Sequence, residues 1–401
     1  MANDLTAFNP QYWATEMQQI FFKENVAIAL ANTGLRDELP FGTVLNKPYR
    51  SHARVTNYTK GTDITIADRS SGNETLTVNT AKITPFYVDD LDKQQNKWDM
   101  AAKYAADGMR LLNNVLDQAV LAEYSNATST VYAGDIGESG ATTAIALTQA
   151  NVQKVFSASA RKLDQLDIPT ANRFAAVGPR IMETLRLYNA GRETGFGETV
   201  ADNGVVGTRF GFKLFQTNNL PFTATLTTSA AIANAETVTI NGCTFTFVDS
   251  MVGTAGTVYS GGNDADTTAQ LVAAINACST GTEGTGNTYR LPSDANAWKI
   301  AKAGIVATDG GTTMTIVGYG DIAVSETMGQ GANVWSVQKQ YMLAGLIGAT
   351  DLLVQKAPNV EFRVAEKRLG RYIYPWMNFG KKTFADMADA LVAVHLDASG
   401  Y

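Results

Sequence analysis

Residues 44–90 place the strongest constraint on what this chain can fold into, because they are β-patterned and almost entirely polar. Ile64 and Ile66 alternate with polar residues, as do Leu76 and Val78, and the stretch from Ala67 to Glu74 between them reads as a turn. A two-stranded hairpin with so little apolar surface does not hold itself together in water. It needs a partner surface, within the chain or on another subunit.

The flanking segments alternate between helix and strand signals. Asn9-Pro10 opens a helix, with Asn as cap and Pro at the first helical position. Trp13, Met17, Ile20, Phe21 and Ile28 follow at helical spacing up to Asn32-Thr33-Gly34. This stripe suits either a core helix or an arm that docks on a neighbouring subunit. From Leu91 to about Tyr124 the pattern predicts one long helix, with Met109, Leu112, Leu116 and Ala119 along one face. Thr148 is expected to cap a second amphipathic helix carrying Val152, Val155, Phe156 and Leu163. Phe174–Val177 reads as a short buried strand, Ile181–Leu187 as helix, and Phe210–Phe215 as a strand before the turn Asn218-Asn219-Leu220-Pro221. Near the end, Val360–Val364 and Arg371–Trp376 alternate like strands, Asn378–Lys382 reads as a turn, and Leu391–Leu396 as a buried strand.

Residues 224–335 differ in kind. They hold nine Asp/Glu and three Lys/Arg, a net charge of −6, which equals the net charge of the whole chain. The remainder is balanced, so the acidic segment is expected to be a separate module with no grip on nucleic acid. Asn241-Gly242 between Thr237–Ile240 and Thr244–Val248 is a strong type I′ hairpin signal. Asp266 is expected to cap a helix with Leu271, Ala274, Ile275 and Cys278 on one face. Trp298–Ala307 and Thr312–Val317 read as a second hairpin, completing a small ββαββ unit. Cys243 and Cys278 are expected as two buried thiols rather than a disulfide.

No motif for chemistry survives inspection. The apolar runs are far shorter than the ~20 residues of a membrane span, and the first residues carry no basic, apolar leader pattern, so cytoplasmic synthesis is expected. His52 and His395 are the only histidines and have no ligand spacing around them. Gly380-Lys381-Lys382-Thr383 resembles the end of a phosphate-binding loop, but Pro375 stands where that loop needs glycine. Asp89, Asp90 and Asp92 suit a helix N-terminus without a metal. Catalytic, cofactor and metal residues are therefore expected to be none, and the chain is read as no enzyme. Arg363, Lys367, Arg368 and Arg371 form the densest basic cluster, expected on a solvated or inter-subunit face, with DNA or an acidic neighbour as the other options.

Several stretches carry a family resemblance through their order. Ile83-Thr-Pro-Phe-Tyr-Val-Asp-Asp-Leu-Asp92 runs into the long helix, after the polar hairpin. Leu163-Asp-Gln-Leu-Asp-Ile-Pro169 is followed by Arg173-Phe-Ala-Ala-Val-Gly-Pro179. Gly207–Phe212 leads to Asn218–Pro221, and Arg363 runs through Gly380 to Val394. This series resembles the major capsid proteins of tailed bacteriophages, the Hong Kong 97-type shell fold. The resemblance implies an α+β fold with a helical arm (1–40), an extended hairpin loop (41–82) and a peripheral domain with a spine helix (83–147). A discontinuous axial domain (148–223 and 336–401) would follow, with an insertion at 224–335. It also implies hexamers and pentamers closing into an icosahedral shell around double-stranded DNA, held without sequence-specific contacts. The hairpin would lie over a neighbouring subunit and the arm would reach across subunits. Scaffolding and portal proteins are implied partners, a decoration protein is a further one, no membrane is involved, and the location is the virion after assembly in the host cytoplasm. Candidate inter-subunit contacts are Trp13, Phe21, Arg69, Glu74, Arg363, Arg368 and Arg371. Lys60 invites comparison with cross-linked shells, but no partner or activating acid can be placed for it. The insertion would brace the shell or project outward, its charge favouring exposure. The alternatives are an encapsulin-type compartment of the same fold, a secreted or tail-associated binding protein, and an enzyme with an unrecognised carboxylate site.

Overall fold

The computed structural model describes residues 23–39, 41–50, 55–64, 71–95, 100–190, 208–228, 232–251, 253–260, 263–329 and 333–399. The polar hairpin is built from β1 (Val44–Arg50) and β2 (Ser71–Thr77), followed by β3 (Thr80–Ile83) and β4 (Phe86–Asp89). A short helix, Asp90–Gln95, precedes the spine helix α1 (Met100–Leu121). Next come β5 (Ser129–Val131), α2 (Val152–Gln165), β6 (Arg173–Val177), α3 (Pro179–Ala190), β7 (Thr208–Arg209) and β8 (Phe212–Gln216). β9 (Pro221–Thr228) leads to β10 (Thr237–Ile240), β11 (Cys243–Val248), β12 (Thr257–Tyr259), α4 (Asp264–Thr280) and α5 (Asp294–Lys302). β13 (Val306–Asp309), β14 (Thr313–Tyr319) and β15 (Val324–Glu326) precede the long strands β16 (Asn333–Leu346), β17 (Asp351–Val364) and β18 (Gly370–Lys382), and β19 (Leu391–Asp397) closes the chain.

These strands form two main layers and two small sheets. In the peripheral layer β18 pairs with β17 along one edge and with β3 and β4 along the other. α1 lies across it, packing Leu112, Leu116 and Val120 on Leu352, Met377 and Phe379. Gly108 lets the helix come close, since a Cβ there would sit 3.0 Å from Pro375. In the axial layer β16 is the hub, paired with β9, β6 and β19. α2 and α3 cover this layer, burying Val155, Phe156, Leu163, Ile181 and Leu185. A small sheet, ordered β12-β11-β10-β15, stands behind α4, whose Leu271, Ala274, Ile275 and Cys278 are buried as the pattern implied.

The hairpin departs from its expected register. Leu45 stands opposite Leu76, so Ser71–Glu74 continue β2 instead of turning, and Ile64 lies exposed in the connection. The reason is packing at the root: Leu76, Val78, Leu39, Leu353 and Phe384 form a small cluster against which Leu45 rests. Asn378–Lys382, expected as a turn, lies inside β18. Gly380 is there for close approach, because a Cβ would collide with the Thr77 carbonyl of the hairpin root. Trp298–Lys302, expected as strand, is helix in α5, with Asp294 in the first turn and Lys299 and Lys302 in the last, as the helix dipole favours. The cap of α4 is Asn263, whose side chain accepts the Asp266 N–H at 2.8 Å. Phe210-Gly211 is a turn with φ of 49° and 80°, so that strand begins at Phe212. α2 begins at Val152, with Asn151 rather than Thr148 before it. In the described part of the arm Ala27–Leu30 is α-helical and Gly34–Glu38 forms a short 3-10 helix, and Ile28 is exposed while Val26 and Leu30 are buried. Cys243 and Cys278 are buried and free.

The insertion is not detached from the axial layer. β14 pairs with β9, and β9 with β16, so one sheet runs through both. Phe222, Ala224 and Leu226 of β9 share a core with Met314 and Ile316 of β14. Thr228 stands directly opposite Asn333, which makes 229–332 the natural excision. Replacing 229–332 with Asn-Gly is expected to leave a folded body with an intact β9–β16 hairpin, but one that binds a hydrophobic dye and loses solubility. Loss of the unfolding transition in circular dichroism would contradict this.

His395 supplies a pH prediction. It faces Tyr341 across the β16–β19 pair and sits 4.5 Å from the ring of Tyr132 and 4.9 Å from that of Tyr341. Burial first, and Lys339 second, lower its pKa to about 4. The depressed value means that its contribution is present above the unfolded pKa near 6.5 and is lost as pH falls from there to about 4. Allowing for solvent screening of a half-buried group, the wild type is expected to lose on the order of 1–2 kcal/mol through it over that range. His395→Phe should flatten the loss in denaturant titrations at pH 7 and pH 4.5; an unchanged pH dependence would exclude His395 as its source.

Candidate assembly surfaces

Strand alternation sends Met377 and Phe379 of β18 toward α1 and leaves the intervening residues on the outer face of the peripheral sheet. Tyr372 and Tyr374 stack at 5.9 Å, and Tyr87 of β4 joins the row at 5.2 Å from Tyr372. Trp376 continues it beside Ile83, which is 55% exposed. The Lys356 ammonium sits 3.8 Å from the centre of the Trp376 ring and also pairs with Glu361. Hydrogen bonds from Lys356 and then from the Trp376 indole hold the Glu361 carboxyl below its usual value. Ile83, Tyr374, Trp376 and Glu361 line a groove of about 380 Å³ together with Ala81, Lys82 and Arg363. An apolar, aromatic floor with charged edges is the anatomy of a protein-docking surface.

The β17–β18 hairpin extends past the groove and ends in a tip that is both basic and apolar. Val364 and Leu369 are 75% and 79% exposed. Arg363 and Arg371 lie on the two strands at this end, and Lys367 and Arg368 lie in the connection between them. Arg363 approaches Glu361 at 3.9 Å, Arg368 lies 6.0 Å from the Tyr87 ring centre, and Arg371 stands opposite Val364. Glu74 is engaged inside the chain, 3.2 Å from Lys382 and accepting the Ala385 N–H at 3.3 Å. Trp13, Phe21 and Arg69 lie outside the described residues, as does His52. Beyond its root the polar hairpin exposes Val55, Tyr58 and Ile64, and Lys60 sits on an exposed turn.

Sequence patterning missed the buried polar groups that position these surfaces. Asp117 is fully buried in α1 and accepts hydrogen bonds from the Val26 N–H at 2.7 Å and Asn219 Nδ2 at 2.8 Å. Asn219 also donates to Asn114 at 2.6 Å, and Lys23 Nζ donates to the Tyr319 carbonyl at 2.6 Å. Burial and then Lys302 bring the Lys23 ammonium down to about 8, against the pull of Asp117. Glu123 pairs with Lys381 at 2.8 Å and accepts from Thr383 and Asn126. Burial would raise its pKa, but Lys381 and the three hydrogen bonds outweigh this and hold the carboxyl below its usual value. The available signal was a carboxylate adjoining an apolar stripe position, Asp117 after Leu116. Among the described residues no three His, Cys, Asp or Glu side chains are grouped to hold a metal, and no helix is long and apolar enough to cross a membrane.

No protein-family model and no curated protein matches this sequence. Solved structures do. A chain from Mycobacterium phage Che8 superposes with a TM-score of 0.56 at 12% identity, covering 98% of both chains. A chain from the capsid structure of the Cyanophage P-SCSP1u gives 0.55 at 12% identity, covering 99% of this chain and 95% of that one. The likeness runs through nearly the whole length, so the insertion is included in it. This chain has the α+β fold of tailed-phage capsid chains, the Hong Kong 97-type architecture that its segment order resembles.

Proposed function

We propose that this chain is the major capsid protein of a tailed bacteriophage, a structural protein without catalytic function that builds an icosahedral shell around double-stranded DNA. One observation carries the reading: in a chain with a capsid fold, the described residues of the hairpin pack on their own body at the root, and those farther out expose Val55, Tyr58 and Ile64. Such a hairpin finds burial on a neighbour, and the aromatic groove around Trp376 supplies a surface of matching character. A hairpin on one copy and a groove on the next make a heterologous contact, which repeats into rings and closes into a shell. Many such contacts act together, so each can be weak.

The remaining expectations follow as parts of the same reading. The basic tip bearing Arg363, Arg368 and Arg371 meets further copies, and the arm with Trp13 and Phe21 and the loop with Arg69 contribute contacts across subunits. The acidic insertion is placed on the exposed side of the shell, away from DNA, because its charge repels phosphate. Scaffolding and portal proteins are the implied partners, a decoration protein a further one, and the virion the location.

The test is electron microscopy with sizing of the purified protein, alone and with scaffolding protein or a crowding agent. Closed thin-walled particles or hexamer and pentamer rings are expected. Trp376→Asp places a charge in the groove and is expected to keep the monomer's circular dichroism while lowering particle yield by about tenfold or more, the scale of losing one buried hot-spot contact. A wild type that stays monomeric under every condition would overturn the capsid reading. A Trp376→Asp variant that assembles normally would remove the groove from it.

A further inference from the structure

The peripheral sheet ends at β17, and the near half of that edge is covered from within the chain. Leu352 donates its N–H to the Asn32 carbonyl, and Gln355 Nε2 donates to the Gly42 carbonyl, both at 2.9 Å. Register shifts between Val354 and Asn359, with Pro358 among them, interrupt the next stretch. Residues 359–364 then pair regularly with β18, and among the described residues no strand lies along their other side. The direction of their backbone groups follows from Pro375. Its carbonyl accepts the Thr84 N–H on the β3 side, so its partner Val360 turns N–H and C=O to the outer edge. By alternation Phe362 and Val364 do the same. Asn359 Oδ1 accepts the Val360 N–H at 2.8 Å, whereas Phe362 and Val364 have no such partner among the described residues.

An open edge is a template for another strand, and the residues of this one define its match. Val360-Glu361-Phe362-Arg363-Val364 has the same pattern read in either direction, except that its two charges are opposite. Set antiparallel about a two-fold axis at Phe362, two copies bring Phe362 against Phe362, Val360 against Val364 and Glu361 against Arg363. Phe362 and its twin then form a hydrogen-bonded pair, and Glu361 and Arg363 the closer, non-bonded kind. Cross-strand pairs of opposite charge and of apolar side chains are both stabilising. Parallel pairing in the same register would set Glu361 beside Glu361. Glu361 already takes Lys356 with one oxygen, while the Arg363 side chain is 73% exposed and only 3.9 Å from its own Glu361, so it can turn to a neighbour. The antiparallel order also separates the two basic tips: Lys367, five residues past the axis, would stand about 30 Å from its twin.

We propose that the outer half of β17 pairs edge to edge with β17 of a second copy, about a two-fold axis at Phe362. Such an isologous contact is self-complementary. Two five-residue strands bury less than the ~1,000 Å² of a stable interface, so it is weak alone and adds to other contacts. It does not rest on the capsid reading, and the test counts covalent dimers on a denaturing gel, whether or not particles form. The full-length protein is used, since Cys243 and Cys278 are buried, with thiol pKa values raised to about 11 and about 12, and resist mild labelling. Phe362→Cys, the position that faces itself at ~5.5 Å, is expected to give linked dimers with a short bismaleimide. Val364→Cys, about 14 Å from its twin, is expected to give several-fold fewer. Adding Glu361→Arg to Phe362→Cys should cut the yield several-fold, and so should adding Arg363→Glu. An equal mixture of these two charge variants should restore it, because Arg then meets Glu at both sites. Absence of dimers at Phe362→Cys, equal yields at the two positions, or no rescue in the mixture would each overturn the proposal.

Discussion

Three buried carboxylates tie together segments that are distant in the chain. Asp117 of α1 takes the backbone of the arm root and the loop before β9. Glu123, just past α1, takes Lys381 at the end of β18. Asp351, at the start of β17 and 2% exposed, takes Asn32 at 2.6 Å and Lys47 of the hairpin at 2.7 Å. A buried charge that loses its partner typically costs about 3–5 kcal/mol. Asp117 and Glu123 therefore fix distant segments against the spine, and Asp351 fixes Asn32 and the hairpin root against β17, more sharply than the diffuse apolar packing around them.

This arrangement explains why the hairpin is held so unevenly. Lys47 to Asp351 and Lys382 to Glu74 anchor its first turns, and Leu45 and Leu76 pack there. Farther out, the described residues offer polar side chains and a few exposed apolar ones. A rigid root aims the hairpin in a fixed direction, and a bare outer part leaves its burial to another surface. The peripheral sheet repeats the logic in reverse: its inner face is sealed by α1, and its outer face presents Trp376, Tyr374 and Ile83. A chain with both features is better explained as a tile than as a finished globule.

Much of the architecture could be read from the residues, for reasons that are local. Asn241-Gly242 forces a tight hairpin with positive φ at both positions, 51° and 72°. Phe174–Val177 and Leu391–Leu396 have nowhere to go but a sheet interior, and Leu112 and Leu116 mark the buried side of the spine. The misreadings came where distant contacts decide. Gly380 looks like a turn residue until the Thr77 carbonyl is seen against it. β9 looks like the edge of a separate module, although β14 and β16 flank it and share one sheet. Ser71–Glu74 look like a turn because composition ignores the Leu45–Leu76 pairing that sets the register. Asp117 and Glu123 look like surface acids, since their partners come from loops and strands far along the sequence. The outer aromatic row was visible as alternation in Arg371–Trp376, but its role required knowing which face α1 covers.

Electron cryomicroscopy of particles assembled from the wild-type chain, at a resolution that traces side chains, tests the central claim most directly. The account predicts a closed shell in which residues 55–64 of each copy lie over the peripheral sheet of a neighbour, with apolar side chains of the hairpin against Trp376 and Ile83. A shell in which those residues pack back on their own chain, leaving the Trp376 groove open to solvent, would contradict it.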